Sequence, residues 1–261
     1  MNAAQKLKQI PGEFRRQELV QLLQQHGQLS VRECSELLGV SEVTIRNDMA
    51  IAEQEGLLRR VWGGATLPQQ VRLEGAFSIR LNHQRSAKEK IGQAAAALVV
   101  DGDTVVLDAS TTAFFIAQQL KERRNLTVIT NGLHTALELG AVPTITTIVT
   151  GGQLRGDTGS VLGTLGEEML SKLHASKGFF SARGITAAKG LTESNILEGQ
   201  LKAMMITHVD EIVAVVDSTK LGVNSLTSFC PISMVRRLIT AGDDAEQKAK
   251  PFQSLMEVVL A

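Results

Sequence analysis

The stretch Ser41-Glu-Val-Thr-Ile-Arg-Asn-Asp-Met49 reads as the second helix of a helix-turn-helix. Ser41 is a strong helix start because its hydroxyl accepts a first-turn amide, and Glu42 suits the positive end of the helix dipole. Ile45, Met49 and Ala52 recur at helical spacing and predict a buried stripe. Val43, Arg46, Asn47 and Ala50 then point outward. A solvated helix face ordinarily carries Glu and Lys. This one offers a fork donor, a carboxamide able to pair with adenine, a branched apolar group and a small residue permitting close approach to a major groove. Double-stranded DNA is therefore the first partner expected; a two-helix packing element without nucleic acid is the plainer alternative.

The flanks extend the pattern. Phe14, Leu19, Leu22 and Leu23 predict an amphipathic helix ended by Gly27, and Val31, Cys34, Leu37 and Leu38 a second ended by Gly39. Gly56 closes the third. Three short helices with tight Gly turns are the minimum trihelical DNA-binding core. Downstream, Leu57-Leu-Arg-Arg-Val-Trp-Gly-Gly-Ala65 suits a hairpin wing. The expected DNA-facing set is Arg32, Ser41, Val43, Thr44, Arg46, Asn47, Arg59, Arg60 and Trp62. Residues 1–66 hold eight Lys or Arg and eight acids, so their net charge is zero. Binding then has to rest on specific contacts and to depend steeply on salt. One short helix buries too little for a specific site, so a two-fold oligomer is expected.

Arg15, Leu19 and Leu23, followed after a fixed gap by Ser41, Thr44, Ile45, Arg46, Asp48 and Met49, resemble the signature of the DeoR family of bacterial transcription regulators. The resemblance implies a winged helix-turn-helix that reads operator DNA, with repression as the default. The wing resembles the family's Gly-Gly-Ala segment, with Trp62 where a His is more usual. Asn47 stands where a second basic residue is usual. Both departures bear on the target sequence rather than on the docking mode.

At 261 residues the chain exceeds one average domain. The expected division is a winged helix-turn-helix over 1–66, a linker over 67–87 and an effector-binding α/β domain over 88–261. In the linker Pro68, Gln69-Gln70, Gly75 and the polar run Asn82 to Ser86 break periodicity, while Phe77 and Ile79 are able to dock onto either domain. There is no apolar run of about 18 residues and no signal-peptide core, which predicts a cytoplasmic protein without membrane association. Cys34 and Cys230 form no metal or redox spacing and are expected to be buried small apolar residues. No metal or cofactor is expected.

From Lys88 the pattern alternates between apolar strands and helices. Thr104–Asp108, Leu126–Thr130, Ile145–Thr150, Gly178–Ala182, Glu211–Asp217, Leu238–Ala241 and Val258–Leu260 read as strands. Helices are expected over Glu89–Val100, Thr112–Arg123, Leu133–Leu139, Leu165–His174 and Leu197–His208. This predicts a mainly parallel sheet covered on both faces, with ligands at the carboxyl ends of its strands. Asp108-Ala-Ser-Thr-Thr112 follows a strand and opens a helix, which fits either a phosphate or a plain helix cap. Thr130-Asn131-Gly132, Thr150-Gly-Gly152 with Arg155, Arg183-Gly184 and Asp217-Ser-Thr-Lys220 place small, hydroxyl and cationic residues at further strand ends. Glu198 and Lys202, four apart, read by spacing alone as a surface helix pair.

These segments resemble the family's sensor domain, whose fold is related to ribose-5-phosphate isomerase and which binds phosphorylated sugars or similar metabolites. By that resemblance Ser110, Thr111 and Thr112 hold the phosphate and Lys202 and Lys220 supply charge. The wider effector set is Asp108, Thr130, Asn131, Gly151, Gly152, Arg155, Arg183 and Glu198. Phe179-Phe-Ser-Ala-Arg-Gly-Ile-Thr186 departs from the family's usual Gly-Ala-Asp-Gly-Ile-Asp pattern. Arg183 in place of an acid points to a more anionic effector or to a disabled site. An isomerase-like enzyme is the main alternative, with Glu198 and Lys202 as its acid–lysine pair. The acid such an enzyme needs near position 183 is absent, and it has no use for a fused DNA-binding domain. An architectural DNA binder would not require the second domain, so no enzymatic activity is expected.

Overall fold

The computed structural model describes residues 11–26, 28–55, 57–66, 77, 80–156 and 158–261. The chain divides into two compact units, Met1–Arg80 and Leu81–Ala261. Gly27, Gly56, Pro68, Gln69, Gln70, Gly75 and Ile79, expected as turn and linker residues, lie outside the described residues. Phe77 is buried.

In the first unit, helices α1 (Gly12–His26), α2 (Val31–Leu38) and α3 (Glu42–Gln54) accompany strands β1 (Gln28–Ser30), β2 (Arg59–Val61) and β3 (Gly64–Thr66). Ser30 and Glu33 form a capping box at α2: the Glu33 amide donates to Ser30 Oγ at 3.2 Å and the Ser30 amide to Glu33 Oε2 at 2.7 Å. Gly39, left-handed at φ 64°, ends α2, and Ser41 Oγ accepts the Thr44 amide at 3.2 Å to start α3. Ile45, Met49 and Ala52 pack with Leu19, Leu23, Cys34, Leu58 and Ala65 in one core. Two residues expected in that core are outside it. Phe14 is 63% exposed and Leu37 51%. Phe14, five residues before Leu19, lies about 140° round the helix from it, and Leu37 about 100° from Leu38.

The expected wing is a β2–β3 hairpin closed by Trp62-Gly63, with Gly63 at φ 75°. The first strand, β1, was not legible in the sequence. It pairs with β3 so closely that a Cβ at Gly64 would lie 2.1 Å from the Leu29 carbonyl oxygen.

In the second unit β4 (Thr104–Leu107), β5 (Leu126–Thr130), β6 (Ile145–Val149), β9 (Ala175–Phe180), β12 (Val209–Asp217), β14 (Val235–Ala241) and β15 (Glu257–Leu260) form one sheet, ordered β15-β14-β12-β9-β4-β5-β6. Every pairing is parallel. Consecutive strand residues feed opposite cores: Val106, Phe180, Ala214 and Val216 on one face, Val105, Leu107, Phe179, Val213 and Val215 on the other. Helices α4 (Arg85–Ala96), α5 (Thr111–Gln119) and α6 (Leu133–Gly140) contribute to the second core, α7 (Thr164–Leu170) and α8 (Ile196–Ile206) to the first. Helix α4 begins four residues before Glu89, inside the polar run assigned to the linker. Short antiparallel pieces, β7 (Gln153–Arg155) with β8 (Ser160–Leu162), and β10 (Gly184–Thr186) with β11 (Gly190–Glu193) and β13 (Thr227–Cys230), were not foreseen. Antiparallel pieces of three or four residues that lack a continuous apolar run carry too little periodicity to read. Among the described residues no helix is long and apolar enough to cross a membrane.

The order of the sheet contains one reversal. Strands β5 and β6 follow β4 outward on one side, whereas β9, β12, β14 and β15 build on the other. Winding therefore reverses between β4 and β9, the place where open α/β sheets bind ligands.

Candidate functional site

The expected DNA face emerges as a surface. Val43 is 65% exposed and Arg46 and Asn47 are exposed beside it, while Trp62 at the wing tip is fully exposed. Helix α3 is held by its back: Arg15 on α1 grips the buried Asp48 through two guanidinium hydrogen bonds, one of them 3.1 Å. This is the physical role of two residues of the sequence signature. Two of the arginine side chains are paired in the free protein, and a third arginine is fixed by its backbone. Arg46 Nη2 lies 2.7 Å from Glu42 Oε2, Arg32 Nε 3.0 Å from Glu36 Oε1, and the Arg60 amide donates to Glu53 Oε1 at 2.8 Å. Exchange of an exposed intrahelical pair for a phosphate or base costs little, since such pairs contribute about 0.5 kcal/mol. Ser41 and Thr44 share a 2.9 Å hydroxyl contact, so both belong to the helix cap.

In the second unit Ser110 is a helix cap, its Oγ accepting the Ala113 amide at 3.0 Å. The cap leaves the Thr111 and Thr112 amides at the helix opening without carbonyl partners in the helix, at the positive end of α5. Asp108 is wholly buried; it accepts the Ser110 amide at 3.0 Å and the Ser181 amide at 2.9 Å, joining the ends of β4 and β9.

Lys202 corrects the surface-pair reading. It is 6% exposed and does not pair with Glu198; its ammonium lies 2.9 Å from Asp108 Oδ2 and 2.7 Å from Glu193 Oε1, and donates to the Ser181 carbonyl at 2.8 Å. Spacing placed Lys202 on an exposed face, but α8 lies on the first core and directs that side chain inward. Burial works against its charge, yet Asp108 and Glu193 raise its pKa above the ordinary lysine value. Burial pushes the Glu193 carboxyl up, and the charge and hydrogen bond of Lys202 outweigh it, so the pKa is lowered. Arg183 Nε stands 4.0 Å from Glu193 Oε2. Two cations therefore face two carboxylates, and the departure at 183 supplies the second cation. Glu193 was not anticipated; its one signal is an acid closing the apolar run Gly190-Leu-Thr192.

Glu198 belongs to a separate cluster. Its Oε1 accepts from Ser160 Oγ at 2.9 Å and lies 3.3 Å from Arg155 Nη1, while Asn195 Oδ1 caps α8 by accepting the Glu198 amide at 3.1 Å. The acid–lysine pair that an isomerase reading needs is thus divided between two clusters. Gly151 and Gly152 form the turn into β7, where a Cβ at Gly152 would meet the Leu162 carbonyl oxygen at 2.2 Å. Thr130 Oγ1 accepts the Gly132 amide at 3.0 Å. Lys220 ends a one-turn helix after β12, two strands from β4, and joins neither cluster. Asn131 Oδ1 and Thr150 Oγ1, at the ends of β5 and β6, are buried and find no hydrogen-bond partner among the described residues. An unmade bond of this kind costs about 1–3 kcal/mol. Among the described residues no group of His, Cys, Asp and Glu is arranged to hold a metal ion. Cys34 and Cys230 are buried free thiols, as expected, and burial pushes them up to about 11 and about 12.

Comparison with known proteins bears on both units. Residues 15–71 match the DeoR-like helix-turn-helix domain and residues 83–242 the DeoR C terminal sensor domain. The chain is 38% identical to the HTH-type transcriptional regulator GolR of Listeria innocua, over 92% of this chain and 94% of that one. It is 33% identical to the lactose phosphotransferase system repressor of Streptococcus mutans, over 94% and 98% respectively. Among solved structures, a ribose 5-phosphate isomerase A from Methanocaldococcus jannaschii matches 52% of this chain and 54% of its own at 16% identity and a TM-score of 0.40. With both domain types matched in order and with relatives similar along nearly their whole length, the chain belongs to the DeoR family and is a DNA-binding transcriptional regulator, not an enzyme.

Proposed function

We propose that this regulator is a cytoplasmic repressor of a carbohydrate catabolism operon, released from its operator by a phosphorylated sugar or related metabolite. The observation that carries the effector half is the N-terminus of α5 beside the reversal of the sheet, where backbone amides and the helix dipole favour an anion. Thr111 and Thr112 hold the phosphate, Arg155 and Arg183 supply charge around it, and Lys202 acts indirectly by neutralising Asp108. The repressor relatives support the direction of control. Arg46, Asn47, Thr44 and Val43 read the major groove, and Arg59, Arg60 and Trp62 meet the backbone. The protein acts as a dimer or tetramer, two recognition helices reading two half-sites. Effector and operator must then weaken each other by the same factor, because linkage is reciprocal.

A gel shift on the promoter regions flanking the gene, repeated with sugar phosphates, tests this reading. Retention of a specific fragment that is lost on adding one phosphorylated sugar is the expected result. If DNA is retained and no phosphorylated metabolite alters it or raises the melting temperature, the effector half is wrong.

A further inference from the structure

The anion site at α5 accounts for one end of a metabolite. The ends of β5 and β6 add groups of a different kind. Asn131 and Thr150 stand one register step beyond the last paired residues, Thr130 and Val149, and each is 2% exposed. Asn131 Nδ2 turns to the Val161 carbonyl at 3.5 Å, which directs its unpartnered Oδ1 the other way. The nearby backbone is already engaged: the Val161 amide donates to the Asn131 carbonyl at 2.7 Å, and the Thr150 amide to the Thr130 carbonyl at 3.0 Å. Ser160, next to Val161, donates to the Glu198 carboxylate. The groups left over are therefore acceptors or hydroxyls in a place closed to bulk water. A phosphate dianion brings no donor to Asn131 Oδ1, whereas a hydroxyl on a carbon chain does, and the Thr150 hydroxyl, donor and acceptor in one, is able to exchange a hydrogen bond with the same chain.

Taking the sensor reading as its basis, we propose that Asn131 and Thr150 are specificity-determining residues that bind hydroxyl groups on the carbon chain of a ligand whose phosphate lies at Ser110 to Thr112. The regulator then distinguishes a polyhydroxylated phosphate ester from a bare one by donors that only the former carries. A site whose buried polar groups go unfilled rejects the analogue lacking the hydroxyl far more strongly than shape alone would.

The test is thermal shift and titration calorimetry on the full-length protein with phosphoglycolate, glycerol 3-phosphate and the aldose and ketose phosphates from four to six carbons. Wild type should prefer a hydroxylated ester to phosphoglycolate, and Asn131→Leu and Thr150→Val should each weaken that ester by about tenfold, one lost hydrogen bond. Their response to phosphoglycolate should stay as in wild type. Thr150→Val preserves shape and decides the matter even where Asn131→Leu fails to fold; without ligand it should melt at or above wild type. A lower melting temperature with unchanged ester affinity means that the hydroxyl serves the fold, and overturns the proposal. Equal ester affinity in wild type and both variants also overturns it, while leaving the sensor reading intact. If no phosphorylated compound binds wild type, both readings fail together.

Discussion

Ser181 donates its amide to Asp108 Oδ2 at 2.9 Å, tying the end of β9 to the end of β4 across the point where the sheet reverses. The same carboxylate meets the Lys202 ammonium, so one buried ion holds the ends of both strands. Removing that ion's partner tests the arrangement. Lys202→Met should destabilise the second unit by about 3–5 kcal/mol, because two carboxylates are left buried without their cation. Urea unfolding followed by circular dichroism measures it; a loss under about 1 kcal/mol would show the charges are solvated.

Stability should also fall in acid for a stated reason. The folded-state pKa of Glu193 is depressed, so its contribution is fully present above the ordinary glutamate value and disappears as pH falls through the lowered one. Glu193→Gln should therefore be less stable than wild type at pH 7, with the difference shrinking below about pH 4. Melting curves across that range check the sign, and a gap that widens in acid contradicts the assignment.

Arg46→Ala should abolish specific operator retention while circular dichroism and melting temperature stay close to wild type, since among the described residues Arg46 holds only the exposed pair with Glu42. Retained specificity in a gel shift would remove Arg46 from the recognition surface.

The wing makes a salt prediction. The first 66 residues are neutral overall, so each phosphate contact is a visible fraction of the total. Arg59→Ala and Arg60→Ala should each reduce the slope of log affinity against log salt by about 0.9. An unchanged slope means that the side chain does not touch the backbone of DNA. Trp62 is the sole tryptophan, and its emission should shift on operator binding.

Gly92→Ala should cost about 1–3 kcal/mol of stability by overpacking. A Cβ there would stand 2.9 Å from the Phe115 carbonyl carbon and oxygen, because α4 crosses the backbone of α5 at that glycine. A neutral result in denaturant titration would show that the two helices separate readily.

How far the sequence reached depends on the length of each pattern. All seven strands of the parallel sheet were read, since runs such as Glu211–Asp217 are apolar on both faces, and the recognition helix was read from Ile45, Met49 and Ala52. Strand β1, three residues long, is defined only by its pairing with β3. At the site, Ser110 and Asp108 were visible because a strand end and a helix start announce them. Glu193 and the inward turn of Lys202 were not, since the spacing of Glu198 and Lys202 describes a helix surface and only packing on β11 and β13 says which side is buried. The two unfilled groups at Asn131 and Thr150 required knowledge of what their neighbours had already taken.

Both thiols are deep in separate cores and held in the protonated form well above neutral pH. Toward maleimides the native chain therefore behaves as though it had no cysteine, because the thiolate is the reacting species. A Trp62→Cys substitution would then take a label alone, and the distance between two labelled wings in an oligomer becomes measurable without first removing a single native residue from the core.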